Sequence, residues 1–397
     1  MPMVTKLDSG RYRVQWRLPD GTKLSAGKSF PTKEAARNFG LDREADIRRG
    51  DEHDPRAGRV LLRDFADTWV NDTYVAEPRT VEKVRAHIER YIKQPVGEGT
   101  RALGDMRLDE IDKHVVQAWI KRLTDLGRSP ATIDGYHQTL RSVLGAAHEG
   151  RRIRSNPAIG VTLPTIAPPH DFYWEQAETD AILAKLVRPL DRAVFSLLLG
   201  AGPRWGEMAG LHLDRWMPLR RRVSIAQVLE EATGGMRLKP YPKGKRNREV
   251  PVDEVVIEEV AAWLASTDPV PCGLKHPRGS RCSGLVFHDD GQPLSRFAWP
   301  RDVLAPVIAA ARAPDDHGRL VPVRPGTPHS LRHTYASWKV IDGVPLRIVQ
   351  ELLGHATIRT TERYSHLAPT ALDHPSLVAS MTARAARRES NVSHAQV

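Results

Sequence analysis

The amino-acid sequence predicts a multidomain, mainly α protein: a small N-terminal β-sheet plus helix module, a helical bundle, and a mixed, mostly α domain with a small β-sheet. Three observations predict it. Tyr12, Val14, Trp16 and Leu18 alternate with Arg11, Arg13, Gln15 and Arg17, the period of a half-buried strand. From Phe65 to Ala147 apolar residues recur at helical spacing, with no strand pattern among them. Two stretches without periodicity, 51–59 with Pro55 and Gly58 and the proline-rich 162–169, read as linkers. The domains are accordingly placed at 1–56, 59–163 and 170–390.

Composition narrows the partners. The 397 residues carry 59 Lys+Arg against 48 Asp+Glu, a formal charge of +11, which favours a polyanion without proving one. Two cysteines cannot make a disulfide framework. The N-terminus lacks the apolar stretch of a secretory signal, and no run reaches transmembrane length, so a cytoplasmic setting without membrane contact is expected.

In the first module, Asp20-Gly21 signals a tight turn between two strands, and Thr32 reads as the N-cap of a helix ending at Gly50. One sheet face is apolar. The other shows Arg11, Arg13 and Arg17, which suits a β-ribbon in a DNA groove and equally a solvated basic face.

The bundle reads as four amphipathic helices. Phe65, Ala66, Trp69 and Val70 mark the first. Thr80 is expected to cap the second, with Val81, Val84, Ile88 and Tyr91 inward. Val116, Trp119, Ile120 and Leu123 mark the third, stopped by Gly127, and Ser129-Pro130 opens the fourth. Exposed Lys121 and Arg141 are candidate phosphate contacts, with a solvated surface as the plain alternative.

In the last part, helices over 175–186 and 190–199 lead into a glycine-rich turn that delivers Arg204 at a helix start, with Glu207 one turn later. Strands are expected over 222–228 and 236–241, followed by a basic hairpin tip with Lys243, Lys245 and Arg248, which suits contact with a DNA groove, Lys245 and Arg248 being the candidate contacts, and equally a solvated loop. Further on, His329 and Arg332 are spaced to share one helix face, near an N-terminus that suits an anion. Gly354 stops the next helix and leaves His355 just past its end. A short helix from Thr357 is expected to carry Tyr364. Its phenol is a poor nucleophile at a pKa of about 10, but a competent one beside cations and a phosphate.

Together these segments resemble the tyrosine recombinase (phage integrase) family. The resemblance rests on G-A-G-P-R-W-G-E at 200–207, a lysine eight residues ahead of Pro251, H-x-x-R-H at 329–333, L-G-H at 353–355 and Tyr364, in that order. It extends into the bundle through S-P-A-T-I at 129–133 and I-R-S-N-P-A at 153–158, similar to the family's core-binding domain. The first module looks like an arm-type DNA-binding domain. Ala201-Gly202-Pro203 departs from the family pattern, which usually has threonine-glycine and a small or variable residue before the arginine.

The resemblance implies a DNA breaking-rejoining fold and site-specific recombination through a 3′-phosphotyrosyl intermediate, integrating or excising a mobile element with no cofactor. Tyr364 is then the nucleophile, Arg204 and Arg332 hold the non-bridging oxygens, and Lys243 protonates the leaving 5′-oxygen, with Lys245 its nearest rival. His329 assists proton transfer or positions the tyrosine, His355 bonds a phosphate oxygen, and Glu207 and His333 buttress the site. Implied partners are double-stranded attachment sites, a homotetramer on DNA, and accessory DNA-bending or directionality proteins. A helix over 371–388 is expected to dock on a neighbouring protomer.

Two other readings fit part of the pattern. A non-catalytic DNA-binding protein would use the helices before and after Gly354 as a helix-turn-helix. A type IB topoisomerase shares the tyrosine chemistry. Cys272, His276, Cys282 and His288 are potential zinc ligands at a spacing that matches no standard zinc pattern, and the sequence reading assigns no metal.

Overall fold

The computed structural model describes residues 2–17, 21–49, 57–166, 172–232, 235–239, 247–274, 276 and 282–368. Lys243, Lys245, Leu18, Asp20 of the expected turn and the expected helix over 371–388 lie outside these residues. The chain divides into two compact units, Met1–Pro168 and Pro169–Val397.

The first unit opens with a three-stranded antiparallel sheet in the order β1 (Met3–Lys6), β2 (Tyr12–Arg17), β3 (Lys23–Ser25). The outer strand β1 escaped the sequence reading, because four residues with one exposed face carry too little alternation. Helix α1 (Lys33–Arg49) follows, and the Thr32 hydroxyl accepts from the Ala35 amide at 3.1 Å, the expected cap. Val14, Trp16, Leu24, Phe30 and Ala36 form the core of this sheet and helix.

The bundle elements are α2 (Leu62–Thr68), continued by a π-helical turn at Trp69–Thr73, α3 (Pro78–His87), α4 (Lys113–Asp125) and α5 (Pro130–Glu149). Leu62, Ile88, Trp119, Ile120, Ile133 and Leu140 are among the side chains they bury together. Thr80 is not a cap. Helix α3 starts three residues earlier, after Glu77, because Pro78 has no amide to satisfy and a preset φ that suits a first helical turn. Ser129 caps α5 as expected, accepting from the Thr132 amide.

The second unit begins with α6 (Gln176–Lys185), α7 (Pro189–Ala201) and α8 (Trp205–Ala209). Helix α7 is apolar on nearly every side and runs through the core, packed against α9 (Glu254–Ala265) and α11 (Pro328–Ile341). The single strand expected over 222–228 is two strands in different sheets. A three-stranded sheet joins β4 (Trp216–Met217), β5 (Arg222–Ile225) and β8 (Arg248–Pro251), while β6 (Val228–Ala232) pairs with β7 (Gly235–Lys239). The chain leaves the first sheet at Ala226-Gln227, a break that a continuous β-rich run conceals.

Two short antiparallel pairs flank α10 (Ala305–Ala310): β9 (His288–Asp289) with β10 (Gln292–Pro293), and β11 (Arg312–Pro314) with β12 (Leu320–Pro322). The described chain ends with α12 (Leu346–Leu353), α13 (Arg359–Glu362) and a 3₁₀ turn at Ser365–Leu367. Tyr364 lies between these last two elements, outside the helix expected to carry it. No helix among the described residues is long and apolar enough to cross a membrane.

Candidate active site

The site lies in the second unit, where α8, β8, α11, α12 and the segment after α13 converge. Helix α11 sets its centre. Pro328 opens it after Thr327, so His329 and Arg332 lie in its first turns and His333 follows one turn after His329. Trp174 fixes this helix from behind: its amide donates to the Thr334 hydroxyl at 3.0 Å, and its carbonyl accepts from Trp338 Nε1 at 3.0 Å.

Arg332 is only 2% exposed. Its guanidinium donates to the carbonyls of Gly202 and Leu353, each at 2.6 Å, and so ties the C-terminal ends of α7 and α12 together. Burial and the nearby Arg204 pull its pKa down to about 9, which leaves it protonated at neutral pH. Gly202 takes φ +58°, and a side chain there would meet the Tyr335 ring at 2.5 Å, so the turn that presents its carbonyl needs a glycine. Pro203 follows and is compatible with Arg204 standing as the N-cap of α8.

Glu207 is the anionic hub. Its Oε2 accepts from the Arg204 amide at 2.9 Å and its Oε1 from the Arg204 guanidinium at 3.0 Å. Arg248 Nη2 donates to the same carboxylate at 2.7 Å. Burial raises the Glu207 pKa, but Arg248 and Arg204 outweigh it and hold the carboxyl below its usual range. The expected DNA contact at Arg248 is therefore corrected. Its side chain is 8% exposed and also donates to the Leu352 carbonyl at 2.7 Å, because strand β8 turns it inward onto Glu207 and α12. The Arg204 side chain stays 29% exposed and can meet an incoming anion.

The imidazoles differ from the expected division of roles. His333 Nδ1, not His329, lies 2.5 Å from the Tyr364 hydroxyl. The His329 ring stacks edge-on against His333 at 4.5 Å. His355 Nδ1 pairs with the buried Thr361 hydroxyl at 2.9 Å, just beyond Gly354, whose φ of +65° ends α12 and leaves room for Arg248. Burial and the surrounding arginines lower all three, His333 to about 4 and His355 to about 3, so each is a neutral imidazole at pH 7. The Tyr364 ring is 3% exposed, with the Arg363 guanidinium 5.6 Å from its centre. Arg363 was missed in the sequence because a lone basic residue near a chain end carries no pattern.

The arrangement thus gathers Arg204, Arg332, His329, His333, His355 and Tyr364 around one buried carboxylate. Arginines outnumber carboxylates, which suits a phosphate, and a neutral imidazole on a phenol can take its proton.

The remaining expected DNA contacts sit elsewhere. Arg13 and Arg17 are exposed on β2, opposite Thr5 and Lys23 across the sheet. Arg11 is turned to its own module, donating to the Ser29 hydroxyl at 2.7 Å and the Ser29 carbonyl at 2.8 Å. Lys121 pairs with Asp125 at 2.8 Å, and Arg141 is exposed.

Away from this centre, Cys272, His276 and Cys282 come together with His212, not with His288. The His288 ring is buried and its Nδ1 accepts from the Gly291 amide at 3.1 Å. His212 stands sixty residues upstream of Cys272, too far for any spacing rule to pair them.

Comparison with known proteins places these features in a family. The model of the phage integrase family matches residues 175–371. Tyrosine recombinase XerD of Lacticaseibacillus casei is 30% identical over 262 residues, covering 65% of this chain and 79% of XerD. Among solved structures, the Tn1549 transposon integrase in complex with a circular intermediate DNA superposes with a TM-score of 0.64 at 19% identity, over 81% of this chain and 99% of that one. A lambda integrase tetramer bound to a Holliday junction gives 0.54 at 15% identity, over 92% and 94%. At such identities the structures share the fold.

Proposed function

This chain belongs to the tyrosine recombinase (phage integrase) family of DNA strand-transferring enzymes, and from that premise we propose that it is a site-specific recombinase integrating and excising a mobile element. The observation that carries the reading is the Tyr364 hydroxyl on a neutral imidazole, in the same chain's cluster with Arg204 and Arg332.

In the proposed reaction the Tyr364 oxygen attacks the scissile phosphorus. Its proton passes to His333 Nδ1 as the phosphorus–tyrosyl bond forms. The bond to the 5′-oxygen breaks, and that oxygen takes a proton from Lys243. Arg204 and Arg332 stabilise the charge that accumulates on the non-bridging oxygens, a task for which fixed planar donors are suited. His329 and His355 complete the phosphate cradle. The phosphotyrosyl ester conserves the energy of the broken bond, so a 5′-hydroxyl from a second DNA reverses the step and joins the strands.

The proposal extends to the other parts. Residues 1–56 are read as an arm-type DNA-binding domain presenting Arg13 and Arg17, residues 59–163 as a core-binding domain, and residues 170–390 as the catalytic domain. Assembly on DNA as a homotetramer is supported by the lambda integrase tetramer of the same fold. The enzyme would work in the cytoplasm on double-stranded attachment sites, with accessory DNA-bending or directionality proteins.

A nicked suicide substrate bearing the native attachment site tests this. A covalent 3′ adduct is expected, lost in Tyr364→Phe while DNA binding is retained. No adduct from wild-type protein that binds the site would favour a DNA-binding protein without catalysis. Relaxation of supercoils without strand exchange would favour a topoisomerase.

A further inference from the structure

We propose that His212, Cys272, His276 and Cys282 form a zinc site that clips the loop after α9 to the segment behind α8. Their ligand atoms all lie within 4.8 Å of one another. Cys272 Sγ is 3.0 Å from His276 Nε2 and 3.3 Å from Cys282 Sγ. A tetrahedral zinc with Zn–S near 2.3 Å and Zn–N near 2.0 Å separates its ligand atoms by roughly 3.3–3.8 Å, so the separations among the four need change by no more than about 1.5 Å. The sulfur pair is far from the length of about 2.05 Å that a disulfide requires, and both cysteines are free thiols.

An independent observation points to the ligand. His212 is 1% exposed, and its Nε2 is buried with no hydrogen-bond partner. Such an orphan costs about 1–3 kcal/mol unless something satisfies it. The other ring nitrogen explains how. The Gln227 amide nitrogen lies against the same Nδ1 and also donates to the Gly210 carbonyl at 2.8 Å; in the tautomer whose Nδ1–H donates to that carbonyl at 3.0 Å, Nε2 holds a lone pair, the orientation a metal-bound histidine adopts. The Cys272 amide donates to Cys282 Sγ at 3.4 Å, as amides do toward ligating thiolates.

The fold brings the four together by backbone pairing. Val286 donates its amide to the Leu211 carbonyl at 2.8 Å, and Leu213 to the Gly284 carbonyl at 3.0 Å, so the residues beside His212 lie along the strand that leaves Cys282. On binding, each thiol releases a proton to solvent. Two thiolates and two neutral imidazoles neutralise Zn²⁺ and close its coordination shell, which makes the site structural. His212 follows the C-terminal end of α8 closely, so the site would anchor the end of the helix that Arg204 caps and that carries Glu207.

Untagged full-length protein, grown with added zinc and purified without chelator, tests the inference by elemental analysis. About one zinc per chain is expected, lost in Cys282→Ser and His212→Ala and kept in His288→Ala. In the wild type both thiols should resist a thiol reagent until a strong chelator is added, and both should then react. That measurement stands even if a variant fails to fold. Zinc below about 0.1 per chain, a Cys272–Cys282 disulfide by mass spectrometry, or full zinc in folded His212→Ala overturns the site.

Discussion

His333 Nδ1 stands 2.5 Å from the Tyr364 hydroxyl. The pair joins a ring on α11 to a side chain that follows α13, and burial keeps that ring neutral. In the tautomer with Nδ1 unprotonated, that ring accepts the phenol's hydrogen bond, the geometry that the proposed proton transfer requires.

Replacing His333 with alanine is therefore expected to slow covalent adduct formation by about 10²–10⁴-fold, with DNA affinity changed less than about twofold. The pH profile separates this role from a packing role. Wild-type single-turnover cleavage should be flat from about pH 6 to 8. In His333→Ala it should climb up to tenfold per pH unit, following the phenolate fraction of a group whose pKa is about 10. A flat profile in the variant would defeat the assignment.

Acid should weaken the fold before it changes the helices. His333 and His355 are held at about 4 and about 3, and His87, His212, His288 and His329 shift the same way. Unfolded histidines titrate near 6.5, so between about pH 6.5 and 4 the unfolded chain binds more protons than the folded one. Stability is full above that window and falls as pH drops through it. Allowing for the partial exposure of both rings, the two shifts with values predict a loss of about 2 kcal/mol from pH 7 to 5. Urea melts at the two pH values read it, and equal midpoints would contradict it.

Arg248→Ala separates an internal ion pair from a DNA contact. It leaves buried Glu207 with Arg204 alone and removes the donor to the Leu352 carbonyl. Such a loss costs about 3–5 kcal/mol, roughly a 10 °C drop in the Tm of a unit this size. Differential scanning calorimetry measures it. A DNA-contact role predicts instead an unchanged Tm and a salt dependence of binding reduced by about one counterion.

The sequence by itself determined what local periodicity and short motifs encode. Helical spacing showed α4, α5 and α7, Ser129 and Thr32 announced their caps, and the order of the boxes brought Arg204, Arg332, His355 and Tyr364 onto one list. These signals are legible because neighbours three or four apart on a helix, or two apart on a strand, share a face whatever the rest of the chain does.

Tertiary structure decided which distant side chains meet. Only the packing of β8 against α12 turns Arg248 from a basic loop residue into the partner of Glu207. The convergence of α11 with the segment after α13 selects His333 over His329 for Tyr364, although both lie on the same helical stripe. Pairing of 211–213 with 284–286 brings His212, not His288, to the two cysteines. Each choice depends on contacts between residues 31 to 104 positions apart. No spacing rule reaches so far, because the path of the intervening chain is set by burial of the whole core.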